Sequence, residues 1–127
     1  MKSLWNSDPD AESDLERDPQ RETLLTIGRY PDVTLWRRTV GLFKTLDGNR
    51  RVRVGVPGEG DLGGIIGPFG RAFWIEMKSR TGEQRTQQEL FQAMVERRGG
   101  IYIVSRSLEE SVEKLEPYRR NPMLGVG

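Results

Sequence analysis

The chain has no cysteine, no histidine and no apolar run long enough to cross a bilayer. Without cysteine there are no disulfides, no thiolate zinc sites and no thiol nucleophile. Without histidine, Ser-His-Asp triads, histidine-metal nucleases and imidazole acid–base chemistry are all excluded. Any hydrolytic chemistry must therefore rest on carboxylates, lysine, tyrosine or a bound metal ion. A membrane span needs roughly 20 apolar residues, and no stretch approaches that; nor is there a signal-peptide pattern. The expectation is an intracellular protein with no membrane partner.

What is present is 127 residues, enough for one domain with a modest core. The 20 basic and 19 acidic residues nearly balance but are unevenly spread. Residues 1–22 hold seven acids and three bases, net −4, which leaves the remainder at net +5. An acidic leader on a mildly basic body fits a polyanionic partner.

Residues 1–12 are polar and acidic and read as a flexible leader. The first helix has two candidate starts. Ser13-Asp14-Leu15-Glu16 has the form of a capping box, and Asp18-Pro19 offers an N-cap followed by proline at the first helical position. Leu24, Leu25 and Ile27 give this helix its apolar side, and Gly28 or Pro31 ends it. Thr34 to Thr45 is rich in β-branched and aromatic residues and predicts one strand, with Trp36 in the core. Asp47-Gly48 is a hairpin turn signal, and Arg51 to Val56 alternates as the return strand. A helix from about Thr86 to Arg98 carries the stripe Leu90, Phe91, Met94, Val95 and stops at Gly99-Gly100. Ile101 to Val104 is a short buried strand, Ser107 opens a last helix, and residues from Pro117 onward read as a tail. The predicted order is αββββαβα, an α/β domain over residues 13–116 built on one mixed sheet flanked by helices.

Within that order, Asp61 to Lys78 (DLGGIIGPFGRAFWIEMK) reads as two strands joined by a turn at Gly67-Pro68-Phe69-Gly70. Strand side chains alternate, so Glu76 and Lys78 share one side while Phe73, Ile75 and Met77 share the other. A carboxylate and an ammonium on an otherwise apolar strand are costly to bury without a partner or a task. If Asp61 lies beside Glu76, two hard oxygen ligands for a divalent cation converge with a lysine. The plainer alternative is a structural ion-pair cluster, although such clusters stabilise poorly on their own. Gly58-Glu59-Gly60-Asp61-Leu62-Gly63 matches the dinucleotide fingerprint but does not open a helix, as that motif must.

Asp61, then Glu76-Met77-Lys78, then a helix carrying Gln88 resembles the PD-(D/E)XK nuclease superfamily, and within it the VRR-NUC family. The likeness spans roughly Glu16 to Leu115. It takes in Glu16-Arg17-Asp18-Pro19-Gln20, Leu35-Trp36-Arg37, Val54-Gly55-Val56-Pro57-Gly58 running into Asp61-Leu62, and Ile75-Glu76-Met77-Lys78. It continues through Gly82, Thr86, Gln88-Glu89-Leu90-Phe91, Gly99-Gly100-Ile101-Tyr102 and Ser105-Arg106-Ser107. A bare D…ExK is weak, but these motifs in order are specific.

The resemblance implies a restriction-endonuclease-like core and a divalent-metal-dependent DNA endonuclease of the stand-alone bacterial or phage type. Asp61 and Glu76, with the backbone carbonyl of Met77 and the first-helix carboxylate Glu16, would hold Mg²⁺ or Mn²⁺. Lys78 would orient or deprotonate the attacking water or offset phosphoryl charge, and Gln88 would position water or Lys78. By the same likeness the protein would be a homodimer acting on branched, Holliday-junction-like DNA in replication or repair, in the cytoplasm of a bacterial or phage-infected cell. The alternative is a catalytically inactive DNA-binding module of the same fold. Two positions depart from the family pattern. Pro19 stands where an apolar helix former is expected, making Glu22 the substitute for Glu16. Arg38 stands where an asparagine is frequent. Arg37, Arg38, Arg51, Arg53, Arg80 and Arg85 are candidates for a phosphate-binding surface, against the alternative of scattered solvated arginines.

Overall fold

The structure is a computed structural model that describes residues 18–79, 82 and 85–127. Glu16, Arg80, the acidic leader and the candidate helix start at Asp14 lie outside the described residues.

The first described helix, α1, is Pro19–Ile27. Asp18 caps it, its carboxylate accepting the backbone N–H groups of Gln20 (3.1 Å) and Arg21 (3.2 Å). Asp18 is extended (φ −101°, ψ 99°), so the helix starts at Pro19, where the missing N–H costs nothing. Gly28 closes it, donating to Leu24 O. Ile27 and Thr23 are its buried residues, while Leu25, expected inside, is exposed. Thr23 and Ile27 are one helical turn apart and set the inward face; Leu25 lies off that line.

Five strands follow, one more than predicted: β1 (Val33–Arg37), β2 (Gly41–Lys44), β3 (Arg51–Val54), β4 (Leu62–Ile66) and β5 (Arg71–Met77). Helix α2 (Thr86–Arg97), strand β6 (Ile101–Ser105) and helix α3 (Leu108–Arg120) complete the described chain. The central sheet has the order β1-β4-β5-β6 and is mixed: β1/β4 and β4/β5 are antiparallel, β5/β6 parallel. The parallel pair is joined through α2, as a crossover requires.

The expected Thr34–Thr45 strand breaks in two because its partner ends. Arg37 pairs with Leu62, the first residue of β4, and Arg38 N makes one last bond to Asp61 O (2.7 Å). Beyond that point β4 offers nothing to pair with, and the chain leaves the sheet as a separate β2–β3 ribbon. The Asp47-Gly48 turn forms as expected, with Gly48 at φ +74°. The ribbon lies outside the central sheet, so the strand from Arg51 ends at Val54 rather than at Val56.

Alternation along β5 divides the two faces as predicted. Phe73 and Ile75 join Ile27, Val33, Leu62, Ile66, Ile101, Ile103 and Leu115 in a core covered by α1 and α3. Trp74 packs on the opposite face with Phe91, Val95 and Tyr102, under α2. Leu90, expected in the α2 stripe, is exposed, and Trp36 is 41 % exposed rather than in the core. Ser107 caps α3 by accepting from Glu110 N (3.0 Å). That helix runs through Pro117 to Arg120, past the point at which the tail was expected. Arg119 near its end grips Asp32 (3.0–3.2 Å) and lies 3.7 Å over the Tyr30 ring. Among the described residues no helix is long and apolar enough to cross a membrane.

Candidate functional site

Asp61 precedes β4, and its carboxylate reaches across to β5, where Oδ2 accepts the backbone N–H of Met77 at 2.8 Å. The N–H and C=O of one strand residue leave on the same edge, so the Met77 carbonyl is also directed toward the Asp61 side. Lys78 N bonds in the other direction, to Ser105 O (2.8 Å) of β6. Glu76 and Lys78 both project from the α2 face, with Lys78 Nζ 3.4 Å from Glu76 Oε1. Both side chains are nearly enclosed, 6 % and 11 % exposed respectively.

Gln88 completes the cluster from the first turn of α2. Its Nε2 donates to Glu76 Oε1 (2.7 Å), and its Oε1 accepts from Lys78 Nζ and from Arg85 N (3.0 Å). One amide thus caps the helix, holds the lysine and orients the carboxylate. The loop bringing Asp61 here packs directly on that helix start. Gly58 has φ +85°, and a Cβ there would overlap the Gln87 carbonyl oxygen.

Electrostatically, the two acids are not at rest. Burial pushes the Asp61 carboxyl up, against the pull of Met77 N–H and Lys78. Burial likewise pushes Glu76 up, and the neighbouring Asp61 charge pushes it further. Glu76 Oε2 is buried with no hydrogen-bond partner among the described residues. A buried carboxylate oxygen left bare is costly. Among the described residues no group of three or more His, Cys, Asp or Glu side chains gathers to hold a metal. The donors that could serve here are two carboxylates and one backbone carbonyl. They are hard oxygens, the donor type that would suit Mg²⁺ or Mn²⁺.

These groups open into a cleft of about 480 Å³ lined by Arg38, Gly60, Asp61, Glu76, Arg85 and Gln88, among others. A larger groove of about 590 Å³ lies elsewhere, walled by Leu24, Leu25, Leu35 and Trp36 together with arginines, and among the described residues no carboxylate lines it. Asp61, Glu76 and Gln88 line the smaller cleft.

Five predicted site residues therefore meet: Asp61, Glu76, Met77 through its backbone, Lys78 and Gln88. Glu22, the substitute for Glu16, does not join them; it borders a small pocket with Pro19, Ser107 and Leu108. Of the predicted arginines, Arg38 and Arg85 line the cleft, Arg51 and Arg53 lie on the ribbon, and Arg37 bonds Gln20 beside the larger groove. Glu59 was not among the candidates. Its Oε2 accepts from Arg38 Nε (2.9 Å) and Trp74 Nε1 (3.1 Å), and its Oε1 is buried without a partner among the described residues. A loop residue between glycines carries no periodicity, so no sequence signal marked it.

No family model matches the chain, and comparison with curated proteins and with solved structures returns no significant match.

Proposed function

We propose that this protein is a divalent-metal-dependent DNA endonuclease with a restriction-endonuclease-like core, related to the VRR-NUC family of PD-(D/E)XK nucleases. The observation that carries the reading is the bare, buried Glu76 Oε2 in the cleft it shares with Asp61, beside a lysine held by Gln88. Asp61, Glu76 and the Met77 carbonyl would hold Mg²⁺ or Mn²⁺. Bound there, such an ion supplies Lewis-acid stabilisation of phosphoryl charge and makes water more acidic. Lys78 would bring a positive charge to the attacking water and the phosphate, and Gln88 holds that ammonium beside Glu76. Arg38 and Arg85 at the cleft wall would receive flanking phosphates. The substrate favoured by the family likeness is branched, junction-like DNA cut by a homodimer during replication or repair, in a bacterial or phage-infected cytoplasm.

A cleavage panel tests this reading. Supercoiled plasmid, linear duplex, single strand and a four-way junction are incubated with Mg²⁺, Mn²⁺ or EDTA. Metal-dependent nicking or junction resolution supports the nuclease. DNA binding without cleavage in any divalent ion would reduce the protein to a binding module.

A further inference from the structure

The β2–β3 ribbon belongs to neither core, and every strand residue on it except Gly41 is exposed. Its register sets Leu42 opposite Arg53 and Lys44 opposite Arg51 on one face, with Gly41, Val54, Phe43 and Val52 on the other. One face is thus basic and the other apolar. The three cations have no ion pair among the described residues. The single acid between the strands, Asp47, is engaged in the turn by Thr45 Oγ1 and Asn49 N. Like charges directly opposite across an antiparallel pair repel, and an isolated two-stranded ribbon is marginal in water to begin with. An anion against this face would relieve both costs.

The ribbon is also built into the cleft. Its outgoing leg (Arg38, Thr39, Val40) and its returning leg (Gly58, Glu59, Gly60) are cleft walls. Glu59 ties the two legs together through Arg38 Nε, and ties both to the central sheet through Trp74 Nε1 on β5. The three residue steps of β2 from Gly41 to Lys44 span roughly 10 Å, about a third of a turn of duplex.

We infer that the ribbon is an arm for double-stranded nucleic acid, its Lys44, Arg51 and Arg53 face lying on phosphates of the duplex that flanks the cleft. A two-stranded ribbon is of a size that a duplex groove admits. Single-strand sites add aromatic platforms on which bases stack, and the basic face has none, because Phe43 points from the other side. The inference rests on the nuclease reading for its setting, but its test does not need cleavage.

Binding of the full-length protein to a labelled 20-base-pair duplex and to a 20-nucleotide oligo-dT is measured in EDTA across a salt series. The variant Lys44→Ala/Arg51→Ala/Arg53→Ala is compared with the parent and with the charge-preserving Arg51→Lys/Arg53→Lys, each shown to be folded by circular dichroism. Each lost phosphate contact removes about 0.9 from the duplex log–log salt slope, so the triple variant should lose about 2.7, with the lysine variant near the parent. An unchanged slope overturns the arm. An equal loss on the single strand overturns the duplex assignment. A shift in sedimentation of the triple variant with no change in slope would make the ribbon an interface between copies and likewise overturn the inference. A parent that shows the ribbon-dependent slope yet never cuts removes the nuclease reading and leaves the arm; a parent that cuts while the slope ignores the ribbon does the reverse.

Discussion

Asp61 and Met77 are sixteen residues apart in the chain, yet the carboxylate of one accepts the backbone N–H of the other at 2.8 Å. That bond fixes where β4 begins relative to the end of β5, and it carries the Asp61 carboxylate into the cleft it shares with Glu76. The two acids then share an enclosed, oxygen-rich site in which each is pushed toward its protonated form.

The first prediction is a pH-dependent stability gain on neutralising either acid. Both carboxyls have folded-state pKa values raised above the unfolded ones. The native state therefore holds more protons than the unfolded chain, and stability falls as pH rises through that interval. Glu76→Gln and Asp61→Asn in EDTA should melt at or above the parent at pH 7 and converge with it below pH 4. Melting curves across pH check this. A variant less stable than the parent at neutral pH would mean that the ionised carboxylates support the apo fold.

Metal binding should reverse that order. An ion preferring the native state raises stability by about 2.7 kcal/mol at a hundred times its dissociation constant. Mn²⁺ should therefore raise the parent melting temperature by several degrees, leave Glu76→Gln and Asp61→Asn unmoved, and lose its effect on the parent as acid protonates the two ligands. Equal shifts in parent and variants would place the ion elsewhere.

Gln88 is expected to matter more to rate than to binding. Its amide touches Glu76, Lys78 and the Arg85 N–H at once. Gln88→Ala should lower kcat by about 10- to 100-fold, the range for losing a partner that orients metal ligands. It should also cost roughly 1 kcal/mol of stability through the lost cap and hydrogen bonds. Single-turnover cleavage at saturating enzyme, alongside urea denaturation, separates the two effects.

Gly58 should tolerate nothing larger. With φ +85° and the Gln87 carbonyl where a Cβ would stand, Gly58→Ala must part the Asp61 loop from the start of α2. A loss of roughly 2–4 kcal/mol is expected from strain and overlap together. Urea denaturation measures it, and a neutral result would show that the loop does not need this close approach.

Much of this site could be read from the chain itself. Period-two alternation from Phe73 to Lys78 was enough to separate core from cleft, and the Gly67–Gly70 turn was enough to send the chain back antiparallel. The ribbon was legible as a hairpin but not as a detached one. Its separation follows from the residue at which β4 starts, a fact of pairing rather than of propensity. Exposure of Leu25, Trp36 and Leu90 was hidden for a related reason, since an apolar residue declares its preference and not its neighbours. Glu59 was silent because loops have no period, although its carboxylate links Arg38 to Trp74.

The most direct test concerns Lys78. Parent and Lys78→Ala are compared for cleavage of a four-way junction and a supercoiled plasmid in Mn²⁺, after melting curves have shown both to be folded and Mn²⁺-responsive. The account predicts cutting by the parent and its loss in Lys78→Ala. Cutting by Lys78→Ala at the parent rate, or a parent inert with every divalent ion, would contradict it.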